Sequence, residues 1–339
     1  ACNELTQTEQ AADIPADEAV RVIIILEEKS AVDQGYSTLG LAENPAALHY
    51  MDRLLENQES ALAEIETALG EELDVNYHFT IGINGFDATV AYGQVDTIRQ
   101  MEGVQEVYLQ QQYTIMEDQP NTATAGEMIH SYNAWADGYT GAGSRIAIID
   151  TGIDPDHPSF DEEAFQYGLA LSAAKFDRTV SDYNLLTKED IAEILPRLHV
   201  AERLVSATAD SLYYSEKNIM KSLDFACDAS SGDHGCHVSG IAAANQYVPY
   251  RDEDGDVYFD TQENGVTGVA PDAQILAMKV FSDGWGAYDA DYMAAIEDAI
   301  LLGCDSVNLS LGSATAGRSY SSSYEELFQS LLESDTVVT

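Results

Sequence analysis

Basic residues, cysteines and long apolar runs are all scarce in this sequence of 339 residues. Lys and Arg number 15 against 59 Asp and Glu, which gives a net charge of −44. Such a surface repels phosphate, so neither nucleic acid nor an anionic membrane is an expected partner. The longest strong apolar run, residues 22–26, is far shorter than the ~18 residues that span a bilayer, so no membrane span is predicted.

The few cysteines also exclude several classes of site. Cys2, Cys227, Cys236 and Cys304 show no CxxC spacing, which argues against a zinc ribbon or a redox motif. Their number is too low for a disulfide scaffold. A bridge between Cys227 and Cys236 and free buried thiols both remain open, with free thiols as the default expectation.

The N-terminal part of the sequence predicts a small α+β module. Residues 1–19 are polar and acidic without periodicity, and we expect a disordered lead-in. Residues 20–115 then predict the order β-α-β-β-α-β of a ferredoxin-like domain. The predicted elements are a strand at 21–28, a helix at 44–70, paired strands within 75–92 turning at Asn84-Gly85, a short helix at 94–101 and a strand at 104–115. Residues 116–126 predict a linker with a processing site.

From residue 127 to 339 the pattern changes to buried strands that alternate with helices. Strands are predicted at 145–149, 274–281 and 305–309, and helices at 188–195, 234–244, 289–302 and 324–333. This alternation predicts an α/β fold with a doubly wound parallel sheet, in which functional side chains gather at the carboxyl ends of strands. The interval between Asp150 and His234 and an acidic loop at 247–264 are predicted surface insertions.

Asp150 and His234 are the candidate catalytic residues. Asp150 ends an apolar strand just before a glycine, and His234 begins a helix of small residues. Amide hydrolysis by a serine needs a base that takes the hydroxyl proton, and imidazole titrates in the right range. A buried carboxylate fixes the imidazole tautomer and stabilises the imidazolium. The two residues can supply this pair if the strand and the helix are neighbours.

Parts of these motifs also resemble other kinds of site, each with a feature that argues against it. Asp150-Thr151-Gly152 also resembles the triplet of aspartic proteases, but such enzymes need two carboxylates and the sequence holds one copy. His234, Cys236 and His237 could bind a metal, although HExxH is absent. The glycines at 138, 141 and 143 precede their strand, whereas a dinucleotide-binding loop follows one. The acidic residues 252–256 suggest calcium, but Val257 stands where an EF-hand needs glycine, which favours a solvated loop.

Four segments in the same order resemble the subtilases, a family of serine peptidases. Residues 146–153 (IAIIDTGI) resemble the aspartate motif, 234–240 (HGCHVSG) the histidine motif, 265–271 (GVTGVAP) the segment after the histidine helix, and 307–312 (VNLSLG) the substrate-binding strand. The resemblance implies that Asp150 is the orienting acid and His234 the general base. It implies that Ser310, Leu311 and Gly312 pair with an extended substrate.

The resemblance also carries expectations about cofactors and local structure. It implies no required cofactor and no catalytic metal, with structural calcium as an expectation at the level of the family. His237 has no catalytic counterpart and is expected to be structural. Cys236 departs from the usual Thr or Ser of the histidine motif, so hydrogen bonding near the base is expected to differ.

Residues 20–115 resemble the inhibitory propeptide of many subtilases, notably at 84–88 (NGFDA) and 101–104 (MEGV). The resemblance implies a zymogen whose propeptide tail runs through the active site. The long insertions are similar to those of the lactocepin-like cell-envelope branch, which implies a secreted or cell-envelope location.

The nucleophile is the missing part of this pattern. Residues 335–339 resemble the strand that leads to the oxyanion-hole asparagine, and no Gly-Thr-Ser or Gly-x-Ser-x-Gly occurs. The serine and the asparagine are therefore expected beyond Thr339, with this fragment alone inactive. The sequence predicts a secreted serine endopeptidase precursor acting on protein or peptide substrates. A non-catalytic pseudoprotease or a protease-inhibitor or binding protein is the alternative.

Overall fold

A computed structural model describes residues 14–115, 122–154, 156–199, 222–224, 233–261, 267–281, 286–312, 323–332 and 334–339. The described helices are α1 Pro45–Leu69, α2 Val95–Arg99, α3 Thr122–Met128, α4 Ser131–Ala136, α5 Glu162–Lys175, α6 Lys188–Ile194, α7 Asp233–Ala243, α8 Asp289–Leu301 and α9 Ser323–Leu331. The described strands are β1 Ala19–Leu26, β2 His78–Phe79, β3 Gly85–Ala91, β4 Val104–Leu109, β5 Gln112–Ile115, β6 Arg145–Asp150, β7 Ser222–Asp224, β8 Tyr247–Arg251, β9 Val257–Thr261, β10 Gln274–Lys279, β11 Ala287–Tyr288, β12 Ser306–Leu309, β13 Leu311–Gly312 and β14 Val337–Val338.

The N-terminal module has the predicted element order. Its antiparallel sheet runs β2-β3-β1-β4, the arrangement of a ferredoxin-like domain. The helix predicted over 44–70 forms because its ends are capped. Asn44 Oδ1 accepts the Ala46 and Ala47 N–H groups at 3.1 and 3.3 Å, and Gly70 closes the helix with a φ of 75°.

Both faces of the β1 strand are buried, which explains its continuous apolar sequence. Side chains alternate along a strand, so Val22 and Ile24 pack with the module's own helices. Ile23 and Ile25 face the opposite side and join the core that includes α8. The module is thereby packed against the C-terminal part of the chain.

Two strand predictions for this module are corrected by the structure. The strand expected over 104–115 is two strands, because the Gln111 N–H donates to the Asp289 carboxylate and β5 leaves the sheet for a different one. The turn expected at Asn84-Gly85 lies earlier, since Gly85 already pairs with Ile25 inside β3. The Asp289 side chain of α8 accounts for the first change and pairing with β1 for the second, and the sequence pattern contains neither contact.

The C-terminal part confirms the predicted α/β fold. Its parallel sheet runs β14-β12-β6-β10-β7, with β6 near the centre. Ala147 and Ile149 of β6 face the core beneath α8, whereas Ile148 faces the core beneath α7. Helices therefore cover both faces of the sheet, which is why this strand is uninterruptedly apolar.

The segment predicted to follow the histidine helix links α7 to the sheet. Residues 265 and 266 lie outside the described ranges. The N–H groups of Gly268 and Val269 donate to the carbonyls of Ala244 and Ile241 at 3.0 Å each. A Cβ at Gly268 would lie within 2.4 Å of the Ala243 backbone, so glycine is required for this close approach. The segment thus ties the end of α7 to the start of β10.

The acidic stretch predicted as a loop at 247–264 contains an antiparallel hairpin of β8 and β9, and its residues 262–264 lie outside the described ranges. Its turn is closed by Asp252, whose Oδ1 accepts the N–H groups of Asp254 and Asp256 at 3.0 and 2.9 Å. The ring of Phe259 stacks on Tyr167 of α5 at 4.3 Å, a tertiary contact that stabilises the hairpin. Within the described ranges, no group of three or more His, Cys, Asp or Glu residues is arranged to hold a metal ion.

Several predicted features fall on residues that the structure does not describe. These are residues 1–13 of the lead-in, 116–121 of the linker, and the cysteines at positions 2 and 227. Residues 122–126 of the predicted linker belong to α3. Among the described helices, none combines the length and apolar character needed to cross a membrane.

Candidate active site

Asp150 is the last residue of β6 and is fully buried at the carboxyl end of the parallel sheet. The chain turns directly after it, where Gly152 has a φ of 94°, a conformation that favours glycine. The Thr151 N–H donates to Asp150 Oδ1 at 2.6 Å. On the neighbouring strand, Lys279 Nζ donates to the Thr151 carbonyl at 3.3 Å. These bonds hold the turn and the Asp150 carboxylate in one orientation.

His234 contacts this carboxylate from the first turn of α7. Its Nδ1 lies 2.8 Å from Asp150 Oδ1 and 2.9 Å from Oδ2. Because an ionised carboxylate only accepts hydrogen bonds, Nδ1 carries the proton and the basic lone pair is on Nε2. The His234 side chain is 15% exposed, in contrast to Asp150 at 1%. The structure thus brings together the two predicted catalytic residues, which are 84 positions apart in the sequence.

Glycine permits this approach of the helix to the turn. The Gly235 N–H donates to Thr151 Oγ1 at 2.9 Å. A Cβ at Gly235 would lie 2.0 Å from the carbonyl oxygen of Gly152, far inside van der Waals contact. The helix can lie this close to the turn only because residue 235 lacks a side chain.

Cys236 contributes a hydrogen bond to this contact between α7 and the segment after β6. The Asp154 N–H donates to its Sγ at 2.9 Å, so the thiol supplies the acceptor that the usual hydroxyl would otherwise offer. The other described cysteine, Cys304, is buried, and burial raises the pKa of its thiol to about 12. That thiol is therefore protonated and unreactive at neutral pH.

The predicted substrate strand is occupied by a segment of the chain itself. Leu311 and Gly312 of β13 pair antiparallel with Ile115 and Thr114 of β5. Ser310 precedes them, and its Oγ accepts a hydrogen bond from Asn308 Nδ2 at 2.9 Å. On its other edge β5 pairs with β11. β5, the last strand of residues 20–115, thus forms the middle strand of a three-stranded sheet between β11 and β13.

Carboxylates of α8 that sequence reasoning missed bind the N-terminal module. Glu297, 1% exposed, accepts the N–H groups of Thr80, Ile81 and Gly82 at 3.2, 2.7 and 3.0 Å. Its Oε2 also lies 3.0 Å from Nε2 of His199, which belongs to the insertion between Asp150 and His234. A glutamate inside the apolar helix sequence AAIEDAI was the available signal, since a buried charge needs partners.

Comparison with known proteins identifies the family. The model of the Subtilase family matches residues 141–338, which is more than half of the chain and includes every strand of the parallel sheet. The chain therefore belongs to the Subtilase family, as the four sequence segments predicted.

Individual relatives share low sequence identity with this chain and are much longer than it. The PII-type proteinase of Lacticaseibacillus paracasei is 27% identical over 315 residues, which cover 92% of this chain and 14% of that protein. The minor extracellular protease Vpr of Bacillus subtilis strain 168 is 27% identical over 252 residues, covering 71% of this chain and 24% of Vpr. Among solved structures, the epidermin leader peptide processing serine protease of Staphylococcus aureus is 13% identical with a TM-score of 0.48, covering 95% of this chain and 59% of that one. This chain spans a quarter or less of the length of these two curated relatives.

Proposed function

We propose that this protein is a secreted serine endopeptidase precursor in which Asp150 and His234 are two members of an Asp-His-Ser triad. The observation that carries the proposal is the contact of His234 Nδ1 with both carboxylate oxygens of Asp150, at 2.8 and 2.9 Å, in a domain of the Subtilase family. A buried carboxylate in this position fixes the imidazole tautomer and stabilises the imidazolium. His234 is then the general base.

The proposed reaction is acyl transfer. A serine beyond Thr339 attacks the peptide carbonyl while His234 Nε2 takes the hydroxyl proton. His234 returns that proton to the leaving amine as the C–N bond breaks, and water hydrolyses the acyl-enzyme through the same base. An asparagine, also beyond Thr339, stabilises the oxyanion. The reaction uses no cofactor.

Substrates of this enzyme are extended peptides that add a strand along Ser310, Leu311 and Gly312. Main-chain hydrogen bonds of such an added strand provide affinity without reading sequence, and pockets for the side chains provide selectivity. The antiparallel pairing of Leu311 and Gly312 with β5 supports this proposal, because β5 has the extended form that a bound substrate would adopt.

Residues 20–115 are proposed to be the propeptide that keeps the enzyme inactive. The support is twofold: β5 fills the cleft between β11 and β13, and the buried Glu297 binds three backbone N–H groups of the module. An extracellular or cell-envelope location is part of the proposal. It is supported by the net charge of −44 and by the similarity to Vpr, a minor extracellular protease. Structural calcium stays a family-level expectation.

The test is peptide hydrolysis by the protein expressed from its complete gene. The wild-type protein is expected to hydrolyse an unstructured protein substrate and to be labelled by a serine-reactive phosphonate. His234→Ala is expected to lose both, whereas His237→Asn, in the same helix, keeps both. A His234→Ala variant that retained activity would refute the role of the base. A complete protein without hydrolysis or labelling would instead be the non-catalytic binding or inhibitor protein.

A further inference from the structure

The side chain of Tyr113, in the strand that fills the cleft, is enclosed by a pocket of its own. Tyr113 is 3% exposed although it lies in the last strand of residues 20–115, outside the module's own sheet. Its ring meets the ring of Tyr292 edge to face, with centroids 5.3 Å apart and planes at 89°. Its hydroxyl donates to Asp289 Oδ1 at 3.0 Å. The pocket therefore has an aromatic wall and a carboxylate at its end.

Asp289 is built into this pocket as an acceptor. It is 3% exposed at the start of α8, and its Oδ1 also accepts the hydroxyl of Tyr292 at 2.7 Å. Its Oδ2 accepts the backbone N–H of Gln111 at 2.5 Å. A buried carboxylate needs such donors, because an unpaired charge in an apolar site is costly. A side chain that fills the pocket without a hydroxyl leaves the Asp289 carboxylate without one of these hydrogen-bond donors.

The backbone around the pocket is shaped for a strand in the position of β5. Ala287 and Tyr288 pair with Tyr113 and Gln112 in antiparallel register. A Cβ at Gly286 would lie 2.3 Å from the Tyr113 carbonyl oxygen, so glycine is needed for the strand to pass. The close approach at Gly286 and the backbone pairing of β11 together fix which side chain of a bound strand enters the pocket.

We infer that Asp289 is a specificity-determining residue that selects tyrosine in the substrate, two positions before the residue that pairs with Leu311. This inference rests on the proposed peptidase function, with β5 standing in for a substrate strand. Tyrosine satisfies the carboxylate and the aromatic wall at once, whereas phenylalanine fills the same volume and leaves the carboxylate short of a donor. Loss of one hydrogen bond to a charged group predicts cleavage weaker by about 10- to 100-fold.

The experiment compares two internally quenched peptides with the activated protein from the complete gene. One carries residues 111–118, QQYTIMED, and the other the same sequence with phenylalanine in place of tyrosine. The kcat/KM for the tyrosine peptide is expected to exceed that for the phenylalanine peptide by about 10- to 100-fold. Equal values would overturn the inference while leaving the peptidase function intact. Cleavage of neither peptide nor of a general protein substrate would refute the proposed function itself.

A pair of variants assigns the selectivity to one carboxylate. Asp289→Ala is expected to reduce the tyrosine-to-phenylalanine ratio to near one while the phenylalanine peptide is still cleaved. Asp291→Ala is the control, because Asp291 accepts the Tyr77 hydroxyl at 3.1 Å and the Tyr288 N–H at 2.9 Å, whereas the Tyr113 hydroxyl donates to Asp289; the ratio should persist. An Asp289→Ala enzyme that kept the full ratio would show that another group reads the hydroxyl. If that variant does not fold, the peptide pair with the wild-type protein still decides the inference.

Discussion

Two buried carboxylates in this protein each bind an imidazole, but their surroundings differ. Asp150 is at a strand end, and its partner His234 begins a helix of the same domain. Glu297 lies within a helix, and its partner His199 comes from an insertion. Glu297 also accepts three backbone N–H groups of the N-terminal module, whereas Asp150 accepts one from its own turn.

The difference teaches that a carboxylate–imidazole pair does not by itself indicate catalysis. The His199 side chain is 9% exposed and packs against the rings of Tyr77 and Phe79. That pair joins three segments of the chain, so we assign it to assembly of the module with the domain. The Asp150 pair stands at the carboxyl end of a parallel strand, where such folds place their chemistry.

The largest expected effect belongs to the Asp150 pair. Asp150→Asn keeps the volume of the side chain but offers an amide N–H where the carboxylate accepted, which favours the wrong imidazole tautomer. We expect kcat/KM of the activated enzyme to fall by about 10⁴-fold with an unchanged melting temperature. Peptide hydrolysis and circular dichroism measure the two quantities. A fall smaller than tenfold would place Asp150 among the structural carboxylates.

A change in helix position should also affect the Asp150 pair. In Gly235→Ala the new Cβ would lie 2.0 Å from the Gly152 carbonyl, so the helix must move away and take His234 with it. A displacement of about 1 Å costs about 10²-fold in kcat/KM. Gly240→Ala, in the same helix, is the matched control, since no described atom lies within 4 Å of its Cβ. Equal activity of the two variants would contradict the close approach.

Glu297→Gln should most clearly distinguish the role of the Glu297–His199 pair from that of the Asp150–His234 pair. The amide keeps one acceptor oxygen but turns an N–H₂ toward donors, so we expect a loss of about 3 kcal/mol in the free energy of unfolding of the precursor. Once the module has been removed, peptide hydrolysis should be unchanged. Urea unfolding and kcat/KM report the two properties. Glu59→Gln, exposed on α1, controls for the loss of one negative charge and should leave both properties unaltered.

The smallest expected effect is a pH dependence of stability, at the contact between the N-terminal module and α9. Burial raises the pKa of Glu326, while the hydrogen bond from the Tyr108 hydroxyl, at 2.5 Å, opposes this shift. A raised carboxyl pKa means that ionisation is costly in the folded protein, so the cost is absent at pH 4 and present at pH 8. Glu326→Gln should therefore gain stability over the wild type as pH rises, by less than about 1 kcal/mol.

Melting temperatures between pH 4 and pH 8 test this expectation. Glu325→Gln, at the exposed neighbouring position, is the control and should follow the wild type across the range. A stability difference for Glu326→Gln that was constant with pH, or that shrank as pH rose, would contradict the direction of the shift.

Local pattern was sufficient to predict most elements of the fold. The caps of α1 were readable as Asn44 and Gly70, and the apolar run of β6 predicted a strand covered on both faces. The predictions failed where a residue distant in sequence supplies a hydrogen bond or a ring contact. Gln111 turns away to Asp289, and the hairpin near Asp252 depends on Tyr167.

The sequence by itself determined the candidate pair and its family, because Asp150 and His234 each lie in a local motif whose neighbours are chemically constrained. Only the tertiary structure decided what Asp289, Glu297 and His199 do. Each is an ordinary charged or titratable residue in its local sequence, and each acquires a role from partners 98 to 217 positions away. The physical reason is that a buried carboxylate must find donors wherever the fold brings them, and linear spacing does not encode that encounter.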